Sequence, residues 1–127
     1  MFWTNGYIYL LTKHRSDSST KLYRIDASIN QLEVAAEFVE QFNIQARVTG
    51  ADIDSTGNNL VVLTETSIWL FEKNADSQKF FGGKKQWLPL NIPQAEAVSF
   101  DGSTILILNE YGKLFEITST DFYMIDD

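Results

Sequence analysis

Residues 54–72 read Asp-Ser-Thr-Gly-Asn-Asn-Leu-Val-Val-Leu-Thr-Glu-Thr-Ser-Ile-Trp-Leu-Phe-Glu, and the order of their parts decides the fold. A turn rich in Asp, Gly and Asn leads into the unbroken apolar run Leu60-Val61-Val62-Leu63. The polar pair Thr64-Glu65 ends that run, and a second strand-like segment begins at Ser67. Gly, Asn and Asp tolerate the positive φ that tight hairpins require. A strand with one wet face alternates apolar and polar residues. This run does not, so it is expected to be buried on both faces.

The same order recurs on either side. Apolar runs Tyr7-Ile8-Tyr9-Leu10-Leu11 and Ile105-Leu106-Ile107-Leu108 follow the turn signals Asn5-Gly6 and Asp101-Gly102, and end in Thr12-Lys13 and Asn109-Glu110. Leu22, Ile68 and Leu114 stand 46 residues apart in both steps, as do Tyr23, Trp69 and Phe115. Shorter runs precede two of the turns, at Gly50 to Ile53 and Ala95 to Phe100, with Phe2-Trp3-Thr4 as the first counterpart. Each unit therefore reads as strand A, turn, strand B, turn, strand C. A less regular strand D is placed at Val34 to Phe38, Lys85 to Leu88 and Phe122 to Ile125. A period of 46 with four short strands matches a propeller blade. The expected fold is all-β, with about three four-stranded antiparallel blades over residues 1–42, 43–90 and 91–127, in effect half a propeller. A small barrel or sandwich also has short strands, but does not predict a register kept across three units. One segment has a competing reading: in Ser28 to Phe42, residues Leu32, Ala35, Ala36 and Val39 also suit a helix.

Several function classes are excluded by composition. The 127 residues carry 17 acidic and 10 basic side chains, 17 aromatic rings, one His and no Cys. That apolar mass fits one globular domain rather than a disordered chain. The lack of Cys excludes disulfides, cysteine nucleophiles and thiolate metal sites. A net charge of −7 argues against a nucleic-acid partner. No apolar run approaches the ~18 residues that cross a membrane. The start lacks a basic segment ahead of an apolar one, so no signal peptide is expected and the chain reads as cytoplasmic.

Val48-Thr49-Gly50-Ala51-Asp52-Ile53-Asp54-Ser55-Thr56-Gly57 resembles a strand-turn motif of a group of bacterial β-propeller proteins. Tyr9-Leu10-Leu11-Thr12-Lys13-His14-Arg15, followed by Thr20 to Ile25, is similar to a hairpin of the same group. So are Gln94 to Phe100 followed by Leu108-Asn109-Glu110. The group includes esterase-like phytase and SdiA-regulated propellers. The resemblance implies the propeller fold over most of residues 7–118 and, through the phytase-like members, a metal-dependent phosphoester or ester hydrolase as one activity. Members are roughly twice as long and often exported, so this chain resembles their second half.

Propellers usually have ~4–8 blades, and 127/46 is about 2.8 units. Three blades leave two flanks open. The expectation is a homodimer whose copies cover each other's flanks, with Met1, Phe2 and Trp3 as interface residues. A truncated, inactive gene product is the competing reading.

The ligand site of a propeller usually lies on the rim holding the D–A and B–C connections. The candidates there are Lys13, His14, Glu65, Glu96 and Glu110. Several oxygen ligands would suit a hard cation, so Ca²⁺ is the one cofactor entertained; none is required and no metal site is assigned. No catalytic residue is assigned either. His14 shares a polar hairpin tip with Ser16, Asp17 and Ser18, where nothing fixes the geometry of a nucleophile. Asp52, Asp54 and Asp101 read as turn formers. The Gly82-Gly83 pair lacks phosphate-loop spacing. Trp3, Trp69 and Trp87 are of a type that stacks on sugars. Trp69 occupies a repeat position shared by Tyr23 and Phe115, which marks it for packing, whereas Trp87 is less constrained. Lys79, Lys84 and Lys85 beside Phe80-Phe81 read as a solvated outer hairpin.

Overall fold

A computed structural model describes residues 1–13, 18–28, 34–74 and 77–125, apart from the side chain of Ser119. Described elements are almost wholly strands in three antiparallel sheets. The first sheet is β1 (Phe2–Thr4), β2 (Tyr7–Leu11), β3 (Ser19–Asp26) and β4 (Glu37–Asn43), paired in chain order. The second runs β5 (Val48–Ile53), β6 (Asn59–Thr64), β7 (Ser67–Glu72) and β8 (Lys84–Pro89). The third has β9 (Ala95–Asp101), β10 (Thr104–Asn109) and β11 (Leu114–Thr118). A short 3₁₀ turn (Ser119–Asp121) leads to β12 (Tyr123–Ile125). No barrel is closed by these pairings, and among the described residues no helix is long and apolar enough to cross a membrane.

The turns follow their chemistry. Asn5 and Gly6 have φ of 52° and 79°, the paired positive values of the tightest hairpin loop. In the longer turn before β6, the Asp54 carboxylate accepts hydrogen bonds from Thr56 Oγ1, the Asn58 and Asn59 backbone N–H groups and Asn59 Nδ2. Glu37 to Asn43 is a strand paired with β3, so packing against β3 overrides the helical spacing there. Residues 29–33 lie outside the described set.

Strand β6 is central. Leu60, Val61, Val62 and Leu63 are all 0% exposed, the burial that their unbroken apolar run demands. Leu60 and Val62 join Phe2, Tyr9, Leu22, Phe71 and Phe80 in a core between the first and second sheets. Val61 and Leu63 join Ile68, Ile105, Ile107 and Ile117 in a core between the second and third. Each such side chain contributes about 1.5–3 kcal/mol on burial. The middle sheet is thus covered on both faces, and the outer two on one each.

Strands β1, β5 and β9, each an edge strand of its sheet, lie side by side, packed but not paired. Two carboxylates tie the sheets together. Asp52 accepts from the Phe100 backbone N–H at 2.8 Å, satisfying an edge donor of β9. It is therefore a link between sheets rather than a turn former. Glu40 accepts from the backbone N–H groups of Phe80 and Phe81. Those rings are buried in the first core, and Lys85, only 5% exposed, donates to the Phe81 and Gly83 carbonyls. Of the solvated hairpin expected there, Lys79 and Lys84 are exposed, whereas Phe80, Phe81 and Lys85 are buried.

The strand counts are four, five and three instead of four in each unit. The difference lies in β12. The sequence places Phe122 to Ile125 beside β11, but Tyr123, Met124 and Ile125 pair with Trp87, Gln86 and Lys85 of β8. Phe122 is buried in the second core, which anchors the crossing between sheets.

Candidate functional site

The hairpins after β2, β6 and β10 are built on one device. Thr12, Thr64 and Asn109 close the three apolar runs and turn their side chains onto their own hairpins. Thr12 Oγ1 accepts from Lys21 N at 2.9 Å, Thr64 Oγ1 from Ser67 N at 2.9 Å, and Asn109 Oδ1 from Lys113 N at 2.9 Å. Unpaired turn donors are satisfied in this way. The residue after each cap, Lys13, Glu65 or Glu110, is exposed.

The starts of β5 and β9 are also alike. Glu65 N donates to Arg47 O at 3.1 Å and Glu110 N to Gln94 O at 2.9 Å. A bulge follows in each: pairing jumps from Val48 to Gly50, and from Ala95 to Ala97. Thr49 and Glu96 are the extra residues, and bulges re-aim side chains in this way. Gly50 lies so close to β9 that a Cβ there would stand 3.4 Å from Val98.

Between these two starts opens a cleft of about 520 Å³, lined by Thr49, Glu65, Thr66, Asn91, Gln94 and Glu96 among others. It brings together two of the expected rim carboxylates. Glu65 faces Arg47 across 3.6 Å, with both side chains about half exposed; an ion pair so wet adds little stability. Glu96 is exposed, so its charge needs no partner to offset burial. Glu110 touches the cleft only through its backbone bond to Gln94, and Lys13 does not line it. His14 lies outside the described residues. Among the described residues, no three His, Asp or Glu side chains converge as a metal site would require.

A second cleft, of about 420 Å³, opens between the first and second sheets at the same hairpin. Asn43 and Gln45 stand on one side, with Thr66, Ser67, Trp69 and Trp87 on the other. The register places Val62, Trp69, Trp87 and Tyr123 in one row across the second sheet. The rings step outward, with centroids 6.4 Å apart from Trp69 to Trp87 and 6.3 Å from Trp87 to Tyr123. Tyr123 reaches this row only because β12 pairs with β8. Of this cleft the sequence marked only the two tryptophans; its amide wall belongs to another sheet, beyond any local spacing.

The expected interface residues divide. Met1 is 78% and Trp3 64% exposed, but Phe2 is 5% exposed, stacked on Tyr9 at 5.0 Å and set edge-on to Phe80. Phe2 therefore belongs to the chain's own core and offers no interface surface. Alternation along β1 is the reason: Trp3 points away from the face that Phe2 buries.

No protein-family model, no curated protein and no solved structure matches the chain.

Proposed function

We propose that the chain is half a β-propeller that acts as a non-enzymatic interaction module, with a second copy covering its two open ends. The observation that carries this is an exposed apolar row on each uncovered sheet face, on the third sheet beside a mixed row of Ser99, Leu106 and Glu116. On the first sheet, Trp3, Ile8 and Ile25 form one cross-strand row, and Leu10, Tyr23 and Phe38 a second. Trp3 is 64% and Phe38 51% exposed. On the third sheet, Ala97, Leu108 and Leu114 form a row, with the two leucines 43% and 59% exposed. Large apolar patches are unusual on the surface of a soluble monomer.

The blade reading is supported by three sheets that follow the chain in order apart from β12, by β1, β5 and β9 lying side by side, and by a middle sheet covered on both faces. In a repeat of this kind each unit needs a neighbour on either side, and the end faces are where the neighbours stop. Joining the first sheet of one copy to the third sheet of another, twice, closes a six-bladed two-fold ring. The contact is head-to-tail, and closure keeps it from growing into a filament. A stable contact buries about 800 Å² on each partner.

Light scattering tests the reading. The expected mass at micromolar concentration is twice 14.5 kDa. A monomer mass across that range would overturn it.

A further inference from the structure

The cleft between the first and second sheets has a lining unlike that of the apolar end faces. Among the described residues, no charged side chain lines it. Two indoles, two carboxamides and two hydroxyl groups supply its aromatic and polar surface. Its volume lies in the range of small-ligand pockets, about 300–1,000 Å³.

Three further features converge there. Gln45 holds φ at +63°, a left-handed conformation that a residue with a Cβ rarely adopts. Its backbone N–H donates to Ser18 O at 2.9 Å, which fixes the strained position. Strain of this type gathers at ligand clamps. Ser18 Oγ also donates to Asn43 Oδ1, leaving the donor end of that amide for another partner. Finally, Trp69 Nε1 is the one buried side-chain polar atom without a hydrogen-bond partner among the described residues. Buried indole N–H groups ordinarily find an acceptor.

We propose that this cleft binds a neutral saccharide, with a pyranose ring against Trp87 and its hydroxyls on Asn43, Gln45 and Thr66. The C–H face of a sugar ring complements an indole. Its equatorial hydroxyls act as both donors and acceptors, which is what carboxamides and hydroxyls offer in return. Among the described residues, the lining offers no cation to hold a phosphate or carboxylate. Tyr123, 61% exposed at the end of the aromatic row, places a second ring for a second sugar unit. The site uses neither end face, so it is independent of self-association.

The three indole N–H signals give an internal control. The ¹⁵N-labelled chain is titrated with cellobiose, maltose, lactose and chitobiose at millimolar concentration. At least one sugar is expected to shift the Trp69 and Trp87 indole signals saturably and leave Trp3, on the opposite face of the first sheet, in place. Trp87→Ala is expected to weaken that binding about tenfold, the worth of one ring stack. Gln45→Gly relieves the backbone strain, so it is expected to fold at least as well and still bind more weakly. No saturable shift with any of the four sugars overturns the proposal. So does equal movement of Trp3, unchanged affinity in Gln45→Gly, or a response to a proline-rich peptide in place of the sugars.

Discussion

Asp54 and Glu40 show how single carboxylates hold this fold, and each makes a distinct prediction. Burial pushes the Asp54 carboxyl up, but donors from Asn59, Thr56 and the backbone outweigh it and hold it below the ordinary carboxylate range. A carboxyl lowered on folding stabilises the native state fully above its unfolded value, about 3.9. That contribution disappears as pH falls through the lower folded value. Asp54→Asn keeps the shape but loses the bond from Asn59 Nδ2, so it is expected to cost about 1–2 kcal/mol at pH 7. The gap in melting temperature between wild type and variant is expected to narrow as the pH is taken from neutral to about 3. A gap that stays constant would contradict the charged role. Glu40 works across sheets, and Glu40→Ala leaves the Phe80 and Phe81 N–H groups unpaired beside a buried core. The expected loss is about 2–3 kcal/mol, seen as a melting point lower by roughly 10 °C for a chain of this size. Glu40→Gln retains one acceptor and is expected to lose less than half as much. The cross-sheet role of Glu40 is not legible in the sequence, because Glu40 and the Phe80 and Phe81 N–H groups that donate to it lie some forty residues apart with no pattern joining them. Asp54, by contrast, bonds its own neighbours, and its place in Asp-Ser-Thr-Gly-Asn-Asn declares that role.

The three equivalent strands β2, β6 and β10 share a sequence pattern but differ in environment. Leu60 to Leu63 are fully buried, whereas on β10 only Ile105 and Ile107 are, and Leu108 is 43% exposed. Leu63→Ala is therefore expected to cost about 3 kcal/mol. Leu108→Ala is expected to cost under about 1 kcal/mol. Denaturant melts at submicromolar concentration, below the range of the proposed self-association, check the contrast. Equal losses would mean that the third sheet is covered within the single chain. The comparison also marks how far the sequence can be read at this scale. The runs reveal strands that want cover on two faces, since alternation is missing in all three. Which run obtains it depends on neighbours that a local pattern does not encode. The fate of β12 is the same lesson. Tyr-Met-Ile offers a three-residue edge to β11 and to β8 alike, and the buried anchor Phe122 decides for β8. That choice carries Tyr123 to the aromatic row, so the saccharide cleft was only half visible in the chain's spelling. The rim cleft was more legible: Glu65 follows a repeated cap residue and Glu96 occupies a repeated bulge. Lys13 follows an equivalent cap but lies at the first sheet's hairpin, away from the cleft between the second and third.

For the whole molecule, the proposed dimer poses the question of which end faces meet. A head-to-tail contact joins unlike faces, the first sheet of one copy with the third of the next, whereas an isologous contact joins like to like. The two arrangements respond differently when one face is ruined at a time. Trp3→Glu with Phe38→Glu places charges on the first sheet's outer face, and Leu108→Lys with Leu114→Lys does so on the third. All four side chains are at least 43% exposed, so the fold is expected to tolerate them. In the head-to-tail arrangement each double variant alone has lost one half of every contact and is expected to run as a monomer. Mixed together, they restore one complete contact, the intact third sheet of the first variant against the intact first sheet of the second, and are expected to form a heterodimer. An isologous contact predicts the reverse: one variant still dimerises alone, and mixing adds nothing. Concentration supplies a second reading of the same equilibrium. A partner that binds only the native chain raises stability by mass action. The wild-type melting temperature is therefore expected to climb with protein concentration, and that of each double variant to stay level until the two are combined.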